Sequence, residues 1–196
     1  MEARLTPRRL LVCAAAIVAL VSVTSACGGG GDAQAAAKDP PLVKYSDSRL
    51  SFSYPSAWTA YPYSGHGELH FQPIVYVSTQ PVHEPCSTHG NTTSCGFPVG
   101  HLQAGGVLIT WQVNGIPAMG LGPGSRIHVG GHPASLTDTA GGECRRIGAD
   151  RTIDVAVETS PPPSAFTYLT ACLRGPGVAA NERSVKALLA STKFLS

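Results

Sequence analysis

Four side chains with ligand or redox chemistry fall within thirteen residues: His83, Cys86, His89 and Cys95. Thiolate and imidazole are the usual ligands of zinc and copper, and a closed tetrahedral site takes four of them. The spacing matches no zinc-finger pattern, and a thiol pair in an exported chain is oxidised more readily than metallated. A metal or small-ligand site in this loop therefore stands as the alternative to a plain disulfide. His128 and His132 are four apart, but Gly130-Gly131 lies between them, so they read as surface residues beside a turn. Nucleophilic catalysis needs a Ser or Cys beside a base and an orienting acid. No Gly-x-Ser-x-Gly elbow is present; Ser125 follows Gly124 without the second glycine. Asp138, Glu143, Asp150 and Asp154 supply carboxylates for acid–base work, yet no spacing selects a pair. Gly28–Gly31 and Gly120–Gly124 lack the Lys-Ser/Thr of a phosphate loop. Asn91-Thr92-Thr93 matches a glycosylation sequon and reads as loop. Arg145-Arg146 suits an anionic partner, or one salt-bridged and one exposed arginine on a strand. Tyr45, Trp58, Tyr61 and Tyr63 would form a binding surface if exposed and a core edge if buried; Trp58 reads as core. No catalytic constellation emerges and no cofactor is called for.

The cysteines divide by position. Arg4, Arg8 and Arg9 precede fourteen uncharged residues, Leu10–Val23. A helix of that length rises about 21 Å, against roughly 30 Å of bilayer hydrocarbon, so it is short for a span. Charge followed by a short apolar run is the layout of a secretory signal. Thr24, Ser25 and Ala26 lead to Cys27 and then four glycines. The run VTSAC (Val23 to Cys27) resembles the lipobox of bacterial lipoproteins, with Thr24 where that family usually carries Leu. The resemblance implies cleavage before Cys27, diacylglycerol on its sulfur, and a protein held on the extracytoplasmic face of the cell membrane. An ordinary signal cut near Ala26 is the competing reading. Each buried methylene of an acyl chain adds about 0.8 kcal/mol of anchoring, so two or three long chains hold firmly. Residues 1–26 thus read as signal peptide, 27–41 as lipidated cysteine and tether, and 42–196 as one domain.

Cys86, Cys95, Cys144 and Cys172 remain, an even number that allows three pairings. Cys86–Cys95 and Cys144–Cys172 are preferred: the first closes a polar loop and the second joins two strands. On a chain-entropy basis they contribute about 2.7 and 3.6 kcal/mol. The leader carries three Arg and one Glu, so residues 27–196 keep 11 basic and 11 acidic side chains and no formal charge. Nucleic acid is not an expected partner of such a domain. Few charges with 22 Gly and 16 Pro favour a turn-rich β domain over a helical bundle.

These residues must be positioned by elements legible along the chain. Gly28–Pro41 has no large apolar side chain and reads as tether. Leu50, Phe52 and Tyr54 alternate with serines, Pro55 ends the run, and Trp58 follows. LSFSYPSAW (Leu50 to Trp58) is similar to the opening hairpin of the PsbP-like family, which includes LpqN-type bacterial lipoproteins. That family starts an antiparallel sheet with Tyr-Pro-x-x-Trp, closes with a helix, and includes many accessory or binding proteins. The resemblance implies an α+β, PsbP-like sandwich: an antiparallel sheet flanked by a C-terminal helix. Further strands are expected at Ile74–Ser78, Val107–Val113, Arg126–Val129, Pro133–Thr137, Glu143–Ile147, Arg151–Glu158 and Phe166–Arg174. Asn114-Gly115 reads as a turn opening a loop to Gly124, Pro81–Pro98 as a loop, and Pro161–Pro163 as an extended one. The final helix is capped by Asn181 and carries a stripe of Val185, Leu188, Leu189 and Thr192. The implied role is a non-catalytic binding or accessory domain whose partner is an envelope protein or envelope component. Metabolic labelling with a clickable fatty acid is expected to mark the wild type and leave Cys27→Ser unlabelled; equal label on both refutes the anchor.

Overall fold

Apolar and polar residues alternate at period two through most of the chain, and the fold lays these runs out as strands. The structure, a computed structural model, describes residues 40–63, 71–90, 92–118, 120–160 and 164–195. The signal-like stretch, Cys27, most of the tether, Leu69, Asn91 and residues 161–163 lie outside the described residues. In chain order the strands are β1 (Leu42–Ser46), β2 (Leu50–Pro55), β3 (Thr59–Pro62) and β4 (Phe71–Ser78). A small hairpin follows, β5 (Cys86–His89) and β6 (Thr92–Cys95), then β7 (Val107–Ala118), β8 (Ser125–Val129) and β9 (His132–Ala140). After a 3-10 turn at Glu143–Ile147 come β10 (Arg151–Glu158), β11 (Ser164–Leu173), helix α1 (Val178–Ser191) and β12 (Lys193–Phe194).

A seven-stranded antiparallel sheet runs β3-β4-β7-β11-β10-β9-β8, and a smaller one runs β1-β2-β12. The architecture is α+β. β11, the most apolar strand, takes the central place, where both neighbours satisfy its backbone. One face of the large sheet is fully covered. Val107, Ile109 and Trp111, Ile153, Val155 and Val157, and Leu169, Ala171 and Leu173 send side chains there. Against them lie Val185, Leu188 and Leu189 of α1, with Phe52 of β2 stacked 5.1 Å from Tyr45 and 6.4 Å from Trp111. Asp47 shapes the β1–β2 turn: its Oδ1 accepts from the backbone N–H groups of Arg49 and Leu50. Gly130 and Gly131, with φ of 58° and 86°, make the tight β8–β9 turn that the sequence signals. A Cβ on Gly130 would also sit 2.9 Å from the Phe194 ring, so two constraints require glycine there.

Several elements differ from the sequence expectation: β1 and β3 are added strands, and the expected Pro81–Pro98 loop, with Thr92 and Thr93 of the sequon, carries the β5–β6 hairpin. β7 runs on through Asn114-Gly115 to Ala118, because Asn114 is paired on both sides, with Phe71 and with Phe166. A turn at that point would break two ladders at once. Glu143–Ile147 forms a 3-10 turn rather than a strand. Both edges of β10 are occupied, by β9 and β11, so no ladder is open to it. The Cys144–Cys172 bond accordingly ties that turn, not a second strand, to β11. Asn181 does not cap the helix. α1 starts three residues earlier, after Gly177 in the left-handed region, and the Asn181 amide donates to the Gly105 carbonyl. The buried stripe is as expected, with Thr192 closing it one residue past the helix.

Leu188 is fully buried while Arg183 is exposed. Leu188→Ala is expected to cost about 2–5 kcal/mol by urea unfolding, and Arg183→Ala less than about 0.5 kcal/mol. Equal midpoints for the two would refute the packing.

Candidate functional site

The alternation that fills one face of the sheet sends other residues to the opposite face. Strand register places Tyr76, Thr110, Thr170, Asp154 and Thr137 in one continuous cross-strand row. The row on one side of it is Ser78, Leu108, Cys172, Thr152 and Thr139, largely apolar at its centre. Pro73, Gln112 and Tyr168 share the row on the other side. The apolar end of this face is covered: Leu108, Cys144, Ile147 and Cys172 pack with Val99 and Leu102 as a second core. The polar end is open, and a cleft of about 490 Å³ lies over it.

Each part of the cleft comes from a different element. Tyr76 of β4, Thr110 and Gln112 of β7, and Thr170 of β11 form the floor. Thr93 and Cys95 of the β5–β6 hairpin, continued by Gly96, Phe97 and Pro98, form one wall. Glu143 and Arg146, on the 3-10 turn, form the other. Both walls are held by disulfides. Cys86–Cys95 crosses directly opposed positions of the hairpin, and Cys144–Cys172 staples the 3-10 turn to the central strand. Gly142 lets the chain turn into Glu143: its φ is 50°, and a Cβ there would meet Thr139 Oγ1 at 2.7 Å and Thr152 Oγ1 at 2.8 Å. The Tyr63 hydroxyl lies 3.6 Å from Cys86 Sγ, and its ring meets Tyr76 edge-on at 6.1 Å, which ties the hairpin to the floor.

The electrostatics single out two carboxylates. Burial pushes the Asp154 carboxyl above the usual range, against the opposing hydrogen bond that its Oδ1 accepts from Thr170 at 2.8 Å. Glu143 is pushed up too, first by the protein crowded around its carboxyl and then by the charge of Asp154, with Arg146 opposing. Glu143 is nevertheless an exposed residue, so the crowding around its carboxyl is partial. The Tyr76 hydroxyl is raised by burial and by Tyr63 and Glu84. Among the described residues neither Asp154 nor Glu143 is joined to a cation in a salt bridge. Asp138 provides the contrast, since the Arg151 guanidinium bonds it at 2.6 Å and holds its carboxyl below the usual range.

The residues singled out by sequence fall in different places. Cys86 and Cys95 are joined to each other, so the His83/Cys86/His89/Cys95 set has no thiolate to offer, and His83 and His89 are exposed. Among the described residues no three His, Cys, Asp or Glu side chains gather as a metal site. The hairpin is nevertheless the cleft wall. Of the four carboxylates, Glu143 and Asp154 come together; Asp138 pairs with Arg151, and Asp150 accepts from the Gly175 N–H. Arg146 faces the cleft, whereas Arg145 reaches the Ala140 carbonyl. His132 stacks edge-on against Phe194, and His128 is exposed. Trp58 and Tyr45 are core on the covered face, while Tyr61 and Tyr63 pack on the other, so the early aromatics form no single surface. Thr110, Gln112, Thr170 and Phe97 were not singled out. The signal for the first three was polar residues at alternate positions inside strongly apolar strands; Phe97 lies in the loop after β6 and had none. Comparison with known proteins finds no matching family model, no matching curated protein and no matching solved structure.

A carboxylate with a raised pKa weakens folding once it ionises, and costs nothing while protonated in both states. Asp154→Asn is therefore expected to unfold at higher urea than wild type at pH 7. The advantage should fade as pH falls and vanish below the ordinary Asp value of about 3.9. A constant difference from pH 7 to pH 3 would refute the desolvated state of Asp154.

Proposed function

We propose that this chain is a lipid-anchored binding domain on the extracytoplasmic side of the cell membrane. Its cleft holds an envelope component, and its role is non-catalytic. The observation that carries the binding role is the cleft itself, with a polar floor and two disulfide-tied walls. Rigid walls lower the ordering cost of binding. Two disulfides are consistent with an oxidising compartment, and zero net charge over residues 27–196 with a partner other than nucleic acid. The lipobox-like VTSAC run supports attachment through Cys27. A PsbP-like sandwich is the finer reading of the fold. It is supported by LSFSYPSAW forming β2 and the turn to Trp58, and by the closing helix.

The small-ligand alternative built on the His83–Cys95 loop joins this reading, because that loop supplies a wall of the same cleft. Its metal-binding form keeps only two exposed imidazoles once the sulfurs are bonded.

A photo-crosslinking amino acid at Thr93, on the cleft wall, should capture an envelope component on irradiating intact cells. The same group at Ala187, exposed on α1, should not. Equal yields at both positions would overturn the cleft as the binding site.

A further inference from the structure

The cleft carries more polar capacity than the fold uses. Among the described residues, the side chains of Thr110, Gln112, Glu143 and Arg146 have no hydrogen-bond or ion-pair partner. Glu143 only accepts, Arg146 only donates, and Gln112 and Thr110 do both. We infer that the cleft binds a neutral saccharide, an inference that rests on the cleft being the ligand site proposed above.

Hydroxyl is the group that serves such a set, since each one both donates and accepts. Hydroxyls of a saccharide in the cleft can serve both Gln112 and Glu143, which line it. An acyl chain would cover these groups and leave them unpaired. An anion would face Glu143 with Asp154 behind it; a cation would face Arg146. Glu143 and Arg146 offset one another, which suits an uncharged ligand. The rest of the lining includes two aromatics. Phe97, half-buried in the wall, offers apolar surface to the C–H face of a sugar ring, and Tyr76 is buried in the floor. A cleft of about 490 Å³ suits a short oligosaccharide better than a lone ion. The walls are tied by Cys86–Cys95 and Cys144–Cys172, so the geometry is set before the ligand arrives.

The test uses the full-length protein in a detergent without a sugar headgroup, by titration calorimetry. The probes are neutral di- and tetrasaccharides of glucose, mannose and N-acetylglucosamine, a uronic acid disaccharide, decanoate and decylamine. At least one neutral saccharide is expected to bind. Gln112→Ala and Glu143→Gln should each weaken it about tenfold or more, as loss of a ligand hydrogen bond implies. Arg183→Ala should leave it unchanged, and melting curves of all variants should match. No neutral saccharide binding, or binding indifferent to both cleft variants, overturns the inference. Decanoate or decylamine binding that is sensitive to the cleft variants, with no saccharide binding, overturns the saccharide while sparing the cleft. Failure of the Thr93 crosslink as well would bring down both.

Discussion

One helix and a three-stranded flap cannot cover both faces of a seven-stranded sheet. That limit organises the molecule. α1 and β2 are spent on one face, where Trp111, Phe52 and Leu188 are buried together. Strand side chains alternate strictly, so every apolar residue committed to that face commits its neighbours to the other. β7 and β11 therefore carry two programmes at once. Ile109 and Trp111 belong to the core; Thr110 and Gln112 belong to the cleft floor.

The second face is closed by loops rather than by regular layers. The segment from Val82 to Leu102 and the 3-10 turn supply just enough apolar surface to bury Leu108 and Cys172. Neither segment has a helix or a long strand to hold it. The disulfides replace that missing support, one within the hairpin and one from the turn to the central strand. Oxidation and site geometry are thus coupled: one bond braces the hairpin that forms one wall, and the other ties the second wall to the central strand. Where this cover stops, polar residues of β7 and β11 stay open, and burial raises the Asp154 carboxyl above its ordinary range.

The expectations that failed share a cause. Asn114-Gly115 is a good local turn signal, but Asn114 is enclosed by β4 and β11, and two ladders outweigh one dipeptide. Glu143–Ile147 has the composition of a short strand, but both edges of β10, the strand it was expected to join, are taken. Asn181 is a good cap residue, yet the helix began earlier and its amide was drawn to Gly105. Each was a local preference overridden by a neighbour far along the chain.

The sequence alone determined what depends on near neighbours. The apolar alternation of Leu50–Tyr54, Val107–Val113 and Phe166–Leu173, the Gly130-Gly131 turn, the helix stripe and the preferred cysteine pairs were all legible, because period and turn chemistry act over a few residues. The tertiary structure alone decided the site. Tyr76, Thr110, Asp154 and Thr170 are scattered along the chain, and only strand register sets them in one row, beside the 3-10 turn that carries Glu143. Register is set by the summed burial of a whole face, which no single stretch of the chain records.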